Sequence, residues 1–186
     1  TNPRAVAIAP NGRIWVTNKR DATISIIDES SLNVVQTVNL PYASQPHGLA
    51  FAPDGSAAFV TLEAMGQLLK LDPTSGNQLD SVNVGANPRH ISVLADSSRV
   101  YVSRFITPPV PGEETANPQL NNGGGEVVVM NVASMSIVDQ VTLQHSDRPD
   151  SEGNGRGLPN YLGPAIISPD GLAAWVPSKQ DNIARG

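Results

Sequence analysis

Four side chains able to grip a charged ligand recur at one place in a repeating pattern. Arg4, His47 and the pair Arg89-His90 each follow a proline directly, at Pro3, Pro46 and Pro88. A guanidinium offers a planar, bidentate donor to carboxylate or phosphate, and an imidazole changes charge near physiological pH. Brought together, these groups would suit an anion or a carboxylate-bearing substrate. They have a second physical use, as hydrogen-bonding pins that set the angle between neighbouring structural units. Three histidines in all, with two sharing the pattern, are thin material for a metal centre.

Oxygen ligands cluster later in the chain. Asp150, Glu152 and Asn154 alternate ahead of Gly155, which imitates the opening of a calcium loop. The twelfth position of such a loop would be Tyr161, where a bidentate acid belongs, so a solvated turn-rich loop competes with Ca²⁺. A further long segment, 105–125, holds Pro108-Pro109-Val110-Pro111-Gly112 and Asn121-Asn122-Gly123-Gly124-Gly125. It is too polar and too rich in Pro and Gly to pack as core. It reads as a surface loop able to contact a partner or another domain.

Several chemistries are excluded. Cysteine is absent, which removes disulfides, thiolate metal sites and covalent haem attachment from this segment. No Gly-x-Ser-x-Gly elbow occurs, and no Ser/His/Asp set has supporting spacing. The glycine run at 123–125 opens no strand-to-helix phosphate cradle. A net charge of -5 argues against a nucleic-acid partner, and no run approaches the ~20 apolar residues of a membrane span.

The elements that must position these residues come from an internal repeat. In three units an Asn/Gln-Pro lead is followed, seven residues after the proline, by a turn: Pro10-Asn11-Gly12, Pro53-Asp54-Gly55 and Ala95-Asp96-Ser97. A fourth turn is Pro169-Asp170-Gly171. Shortly after each turn an aromatic precedes a valine: Trp15-Val16, Phe59-Val60, Tyr101-Val102 and Trp175-Val176. Ile24–Asp28, Leu68–Asp72 and Val127–Asn131 supply a third run, and Val38, Val82 and Val141 each mark a fourth. These short, β-branched and aromatic runs between Pro/Asp/Asn/Gly turns are strands, and no helical period is sustained. Four-stranded units of about 42 residues that cannot bury both faces alone must stack on copies of themselves. Radial stacking of such sheets is a β-propeller.

The expected fold is therefore all-β, a propeller of four-stranded antiparallel blades, with 1–186 forming one partial propeller. Blades are expected at 1–42, 43–86 and 87–143, the last carrying the 105–125 insertion. After a second insertion, 144–163, a partial blade spans 164–186, making about three and a half. Open blade faces are a liability, so more blades are expected beyond Gly186.

The strand Ile14-Trp15-Val16-Thr17-Asn18, with Asn-Pro-Arg before it and Pro-Asn-Gly between, resembles the YVTN repeat of surface-layer and periplasmic β-propellers. The other copies drift to Phe59-Val60-Thr61, Tyr101-Val102-Ser103 and Trp175-Val176-Pro177. The resemblance implies an exported protein, periplasmic or at the cell surface. A near-complete repeat with no catalytic motif reads as a non-catalytic scaffold that binds a protein, a small molecule or another domain of its own chain. The resemblance also makes the Arg/His column part of the repeat. Gly157–Gly163 and Ser168–Asn182 are similar to exported proteins in which such a propeller precedes a di-haem domain of the cytochrome c peroxidase kind. That would make this the propeller portion of a periplasmic redox enzyme, with haem c held downstream. A lactonase-like propeller hydrolase, using Arg and His in the channel, is the catalytic alternative. This segment by itself reads as a non-enzyme that holds no cofactor.

Overall fold

A computed structural model describes residues 2–106, 124–144 and 158–181. Blade one is β1 (Pro3–Ile8), β2 (Ile14–Asn18), β3 (Thr23–Ile27) and β4 (Val34–Asn39). Blade two is β5 (Pro46–Phe51), β6 (Ala58–Leu62), β7 (Gln67–Leu71) and β8 (Gln78–Asn83). Blade three is β9 (Pro88–Val93), β10 (Arg99–Arg104), β11 (Glu126–Asn131) and β12 (Ser136–Thr142). Within each blade the strands pair antiparallel in chain order. The first strand of blade two touches the first strands of both its neighbours, so the first strands stand side by side around an axis. The protein is a β-propeller, open among the described residues.

The turn columns explain why these strands end where they do. Asn11, Asp54, Asp96 and Asp170 each accept the N–H two residues on, from Arg13, Ser56, Ser98 and Leu172, at 2.9–3.1 Å. The residue after each has a left-handed backbone: Gly12, Gly55 and Gly171, with φ between 71° and 83°. Ser97 takes the same conformation at φ 62°, at the cost of crowding its Cβ. Asp28, Asp72 and Asn131 cap the turn between third and fourth strands, accepting from the N–H of Ser31, Ser75 and Ser134. The recurring acids are therefore Asx turns, which use the short side chain as a local acceptor.

Apolar residues fill the two blade junctions. Trp15 and Phe59 are fully buried. Phe51 of blade two meets Trp15 of blade one edge to face, with centroids 5.3 Å apart. Val100, Val102, Val128 and Met130 close the junction of blades two and three against Phe59 and Leu68. Beside the axis the blades are joined by hydroxyls. Thr17 accepts the N–H of Ala5 at 3.0 Å and donates to the carbonyl of His47 at 2.8 Å. Thr61 repeats this one blade on, accepting from Gly48 N–H at 2.7 Å and donating to the Arg89 carbonyl at 3.1 Å. Each hydroxyl sits where the register of the first two strands shifts, so it satisfies backbone groups that the ladder misses. A Cβ on Gly48 would stand 2.2 Å from the Arg89 carbonyl oxygen, so only glycine lets blades two and three approach this closely.

The fourth unit differs from the expected partial blade. Beside β14 (Ile166–Ile167) and β15 (Ala174–Trp175), which pair as expected, β13 (Leu158–Asn160) pairs with β16 (Lys179–Asp181). This second pair forms a two-stranded sheet of its own, and β13 lies inside the segment read as insertion. The lead proline that marks the other copies is Leu162 here, and it is buried. The left-handed residue before that position persists: Gln45, Asn87 and Tyr161 have φ of 54°, 56° and 53°. No helix among the described residues is long and apolar enough to cross a membrane.

Candidate functional site

Two repeating positions meet at one end of the axis. The lead position, after the motif proline, is Arg4, His47, Arg89 and, by register, Gly163. The rim position, four residues past the aromatic of the second strand, is Lys19, Glu63, Phe105 and Lys179. Antiparallel pairing brings the two together, because the end of the second strand lies beside the start of the first: Pro3 opposite Asn18, Pro46 opposite Leu62 and Pro88 opposite Arg104. Backbone bonds hold the arrangement in every unit from one to three: Lys19 N–H to Asn2 O, Glu63 N–H to Gln45 O and Phe105 N–H to Asn87 O, at 2.8–3.1 Å.

The side chains form a continuous run across four blades. Glu63, only 8% exposed, receives Lys19 Nζ at 2.6 Å on Oε2 and Arg89 Nε at 2.7 Å on Oε1. The Arg89 guanidinium lies 3.5 Å from the centroid of the Phe105 ring. Phe105 meets Tyr161 edge to face at 5.4 Å, and Lys179 Nζ stands 5.3 Å over Tyr161. Burial is the largest influence on the Glu63 carboxyl and pushes its pKa up. The hydrogen bonds and charges of Lys19 and Arg89 outweigh it, so the net shift is downward and the carboxylate is held ionised.

The structure brings together His47 and His90, whose rings pack edge to face at 5.6 Å. Burial lowers the His47 pKa to about 4, with Glu63 opposing and the charges of Arg89, His90 and Lys19 adding to the fall. His90 shifts the same way, first through burial and then through Arg89. Both imidazoles are neutral at pH 7. Arg89 spans from blade three to a carboxylate of blade two, while its own carbonyl takes the Thr61 hydroxyl. Arg4 is exposed and has no ion-pair partner among the described residues. Asp150, Glu152 and Asn154 lie outside the described residues, as do 107–123 of the long insertion. Among the described residues no group of three or more His, Asp or Glu could hold a metal ion.

The ends of the insertion are visible, and both engage the fourth unit. Phe105 O accepts the N–H of Leu162 at 3.1 Å, and the N–H of Gly125 reaches Pro159 O. A Cβ on Gly125 would strike the Leu162 side chain at 2.7 Å, so the last glycine of the run is a packing requirement. Beside the run of ionic and aromatic contacts lies a groove of about 380 Å³, lined by Lys19, Arg20, Tyr42, Ala43 and Gln45 among others. Tyr42 is almost wholly exposed, and Ala43 and Gln45 both hold left-handed backbones.

Sequence reasoning missed Lys19, Glu63, Phe105 and Tyr161. The signal was present as opposite charges at one repeat position in consecutive units, Lys19 and Glu63.

Among known proteins, no family model matches this chain and no curated relative matches it. Solved structures do. Hydrazine synthase of Kuenenia stuttgartiensis is 16% identical with a TM-score of 0.56, over 98% of this chain and 57% of that one. A streptogramin B lyase is 15% identical with a TM-score of 0.65, over 94% of this chain and 47% of that one. Both are β-propellers, and the chain spans about half the length of each. Identity this low speaks for the fold alone.

Proposed function

We propose that this chain is a binding module of an exported or cell-surface protein, a propeller that holds a ligand or partner and does not turn it over. One observation carries the reading: Lys19, Glu63 and Arg89, gathered at the axis, are committed to one another. A general base works best with a pKa near the working pH. His47, at about 4, is too weak a base, and Glu63 is held ionised between two cations. Such a run fixes the angles between blades and leaves the neighbouring groove of Arg20, Tyr42 and Gln45 as the contact surface. Export is supported by the likeness of the strand motif to YVTN repeats.

A catalytic reading has one observation in its favour, the neutral imidazoles of His47 and His90 facing each other beside a carboxylate. One experiment separates the two. Lactone and ester hydrolysis are measured for the wild type and for His47→Ala and His90→Ala, alongside titration calorimetry with a panel of carboxylated small molecules. Binding that Arg20→Ala or Tyr42→Ala weakens, with no turnover, is the expected result. Turnover abolished by either histidine substitution would replace binding with catalysis.

A further inference from the structure

Blades one and two differ in the connector that leaves the fourth strand, and in blade one the difference opens a groove. In both blades that connector begins by bonding to the loop between second and third strands. Leu40 N–H reaches Ala22 O at 2.9 Å, and Val84 N–H reaches Gly66 O at 2.8 Å. In blade two the loop and connector close on each other, since a Cβ on Gly66 would stand 2.8 Å from Gly85 O. Blade one has Ala22 at that position, in the same left-handed conformation at φ 52°, and its Cβ holds the connector off. The connector is longer to match: five residues separate Leu40 from Pro46, where three separate Val84 from Pro88.

The longer connector is built as a turn. Ser44 N–H closes it on Pro41 O at 3.1 Å, and Ala43, its third residue, has φ 58°. That pattern is type II, in which glycine ordinarily takes the third place, so alanine there stores strain. Tyr42 stands at the corner, 98% exposed, and contributes nothing to the core.

The groove of about 380 Å³ between loop and turn is at the small end of ligand sites, with space for a ring or two. Tyr42 is its one aromatic residue, Ala22 and Ala43 are small, and the rest of the lining is polar. A flat aromatic acid needs apolar surface on both faces. This groove offers one aromatic face and a rim of donors and acceptors, which suits a ring with an apolar C–H side and a fringe of hydroxyls. Charge narrows the choice. Lys19 gives its ammonium to Glu63 and Asp21 has a partner too, whereas the exposed Arg20 side chain makes no ion pair or hydrogen bond among the described residues. An uncommitted guanidinium beside such a ring favours a carboxylate, held through two parallel bonds.

We infer that the groove binds a sugar acid: Tyr42 stacks on the pyranose ring of a hexuronic acid, and Arg20 takes its carboxylate. This rests on the reading of the chain as a binding module and names what its contact surface accepts.

The test is an amide-resolved NMR titration with galacturonate and glucuronate, with the neutral hexoses galactose and glucose, and with tartrate, which has carboxylates and hydroxyls but no ring. At least one uronate should bind ~10-fold or more tightly than its neutral hexose and than tartrate, shifting the amides of Arg20, Ala22, Ala43 and Gln45. Arg20→Ala should erase the preference over the neutral sugar, and Tyr42→Ala the preference over tartrate, while Tyr42→Phe keeps both. Both side chains are exposed, and circular dichroism checks that the variants fold. Tartrate binding as tightly as the uronates would overturn the sugar, and a neutral hexose doing so would overturn the acid. Uronate binding that neither alanine substitution weakens would place the site elsewhere and also overturn the inference. All three results leave the binding module standing. Failure of every compound to bind overturns the inference too, while the module reading falls separately, to turnover that His47→Ala or His90→Ala abolishes.

Discussion

Replacing Glu63 by glutamine tests whether the run of ion pairs holds the blades. The substitution keeps the shape of the side chain and removes one charge that two cations share. Severing a fully buried ion pair costs about 3–5 kcal/mol, because the surviving charge is stranded. Here the carboxylate is 8% exposed, but Lys19 and Arg89 are 18% and 25% exposed and regain water. The expected loss is therefore about 1–3 kcal/mol. In a domain of this size that lowers the melting temperature by roughly 3–10 °C. Urea unfolding should show a lower midpoint with an unchanged slope, since no surface is newly exposed. A double-mutant cycle with Arg89→Met should return a coupling of about 1–2 kcal/mol, as the two groups are in direct contact. The pH dependence has a definite sign. The folded carboxyl has a lowered pKa, so its contribution is complete above the unfolded value and is lost as pH falls through the folded one. Wild type and Glu63→Gln should thus converge in acid. A neutral-pH loss below ~0.5 kcal/mol, or strict additivity with Arg89→Met, would show that the run is decoration.

Four further outcomes follow from the same geometry. Thr61→Val removes a hydroxyl that satisfies two buried backbone groups and should cost about 2 kcal/mol in urea unfolding. Ser103→Ala, one blade on, should be neutral within ~0.5 kcal/mol or stabilising, because the Ser103 hydroxyl is buried with no partner among the described residues. Trp15→Ala should cost about 3–5 kcal/mol, while Trp175→Ala, at an exposed indole, should cost less than ~1 kcal/mol by the same measurement. His47 is neutral in the folded chain down to about pH 4, whereas its unfolded form protonates from ~6.5 downward. Stability should therefore fall as pH drops between those values, by about 1–2 kcal/mol after allowance for partial exposure, and His47→Gln should flatten that slope.

What was legible in the sequence was whatever the repeat states through residue type. Asp and Asn columns, glycine after them, and an aromatic at a fixed offset are each demanded by local geometry, so the three complete blades could be read directly. The fourth unit was harder because its lead proline is Leu162 and its left-handed residue is Tyr161 in place of Asn or Gln. There the backbone kept the conformation while the residues that usually report it changed. Pairing at 158–160 was hidden for that reason, and the strand was read as loop.

The site was less legible because its logic runs between units. Arg89 was visible as a member of the Arg/His column, but the column suggested equal roles for all its members. Their environments make them unequal. Arg89 is neutralised by a carboxylate from the preceding blade, His47 and His90 are discharged by burial, and Arg4 is exposed. A single repeat cannot show this, since each lead residue takes its partner from the rim position of another unit. The same holds for the hydroxyls: Thr17 and Thr61 look like ordinary strand residues until the carbonyl each reaches is found one blade away. Reading the column and the rim together, as pairs offset by one unit, turns a list of cations into a rule about neighbours.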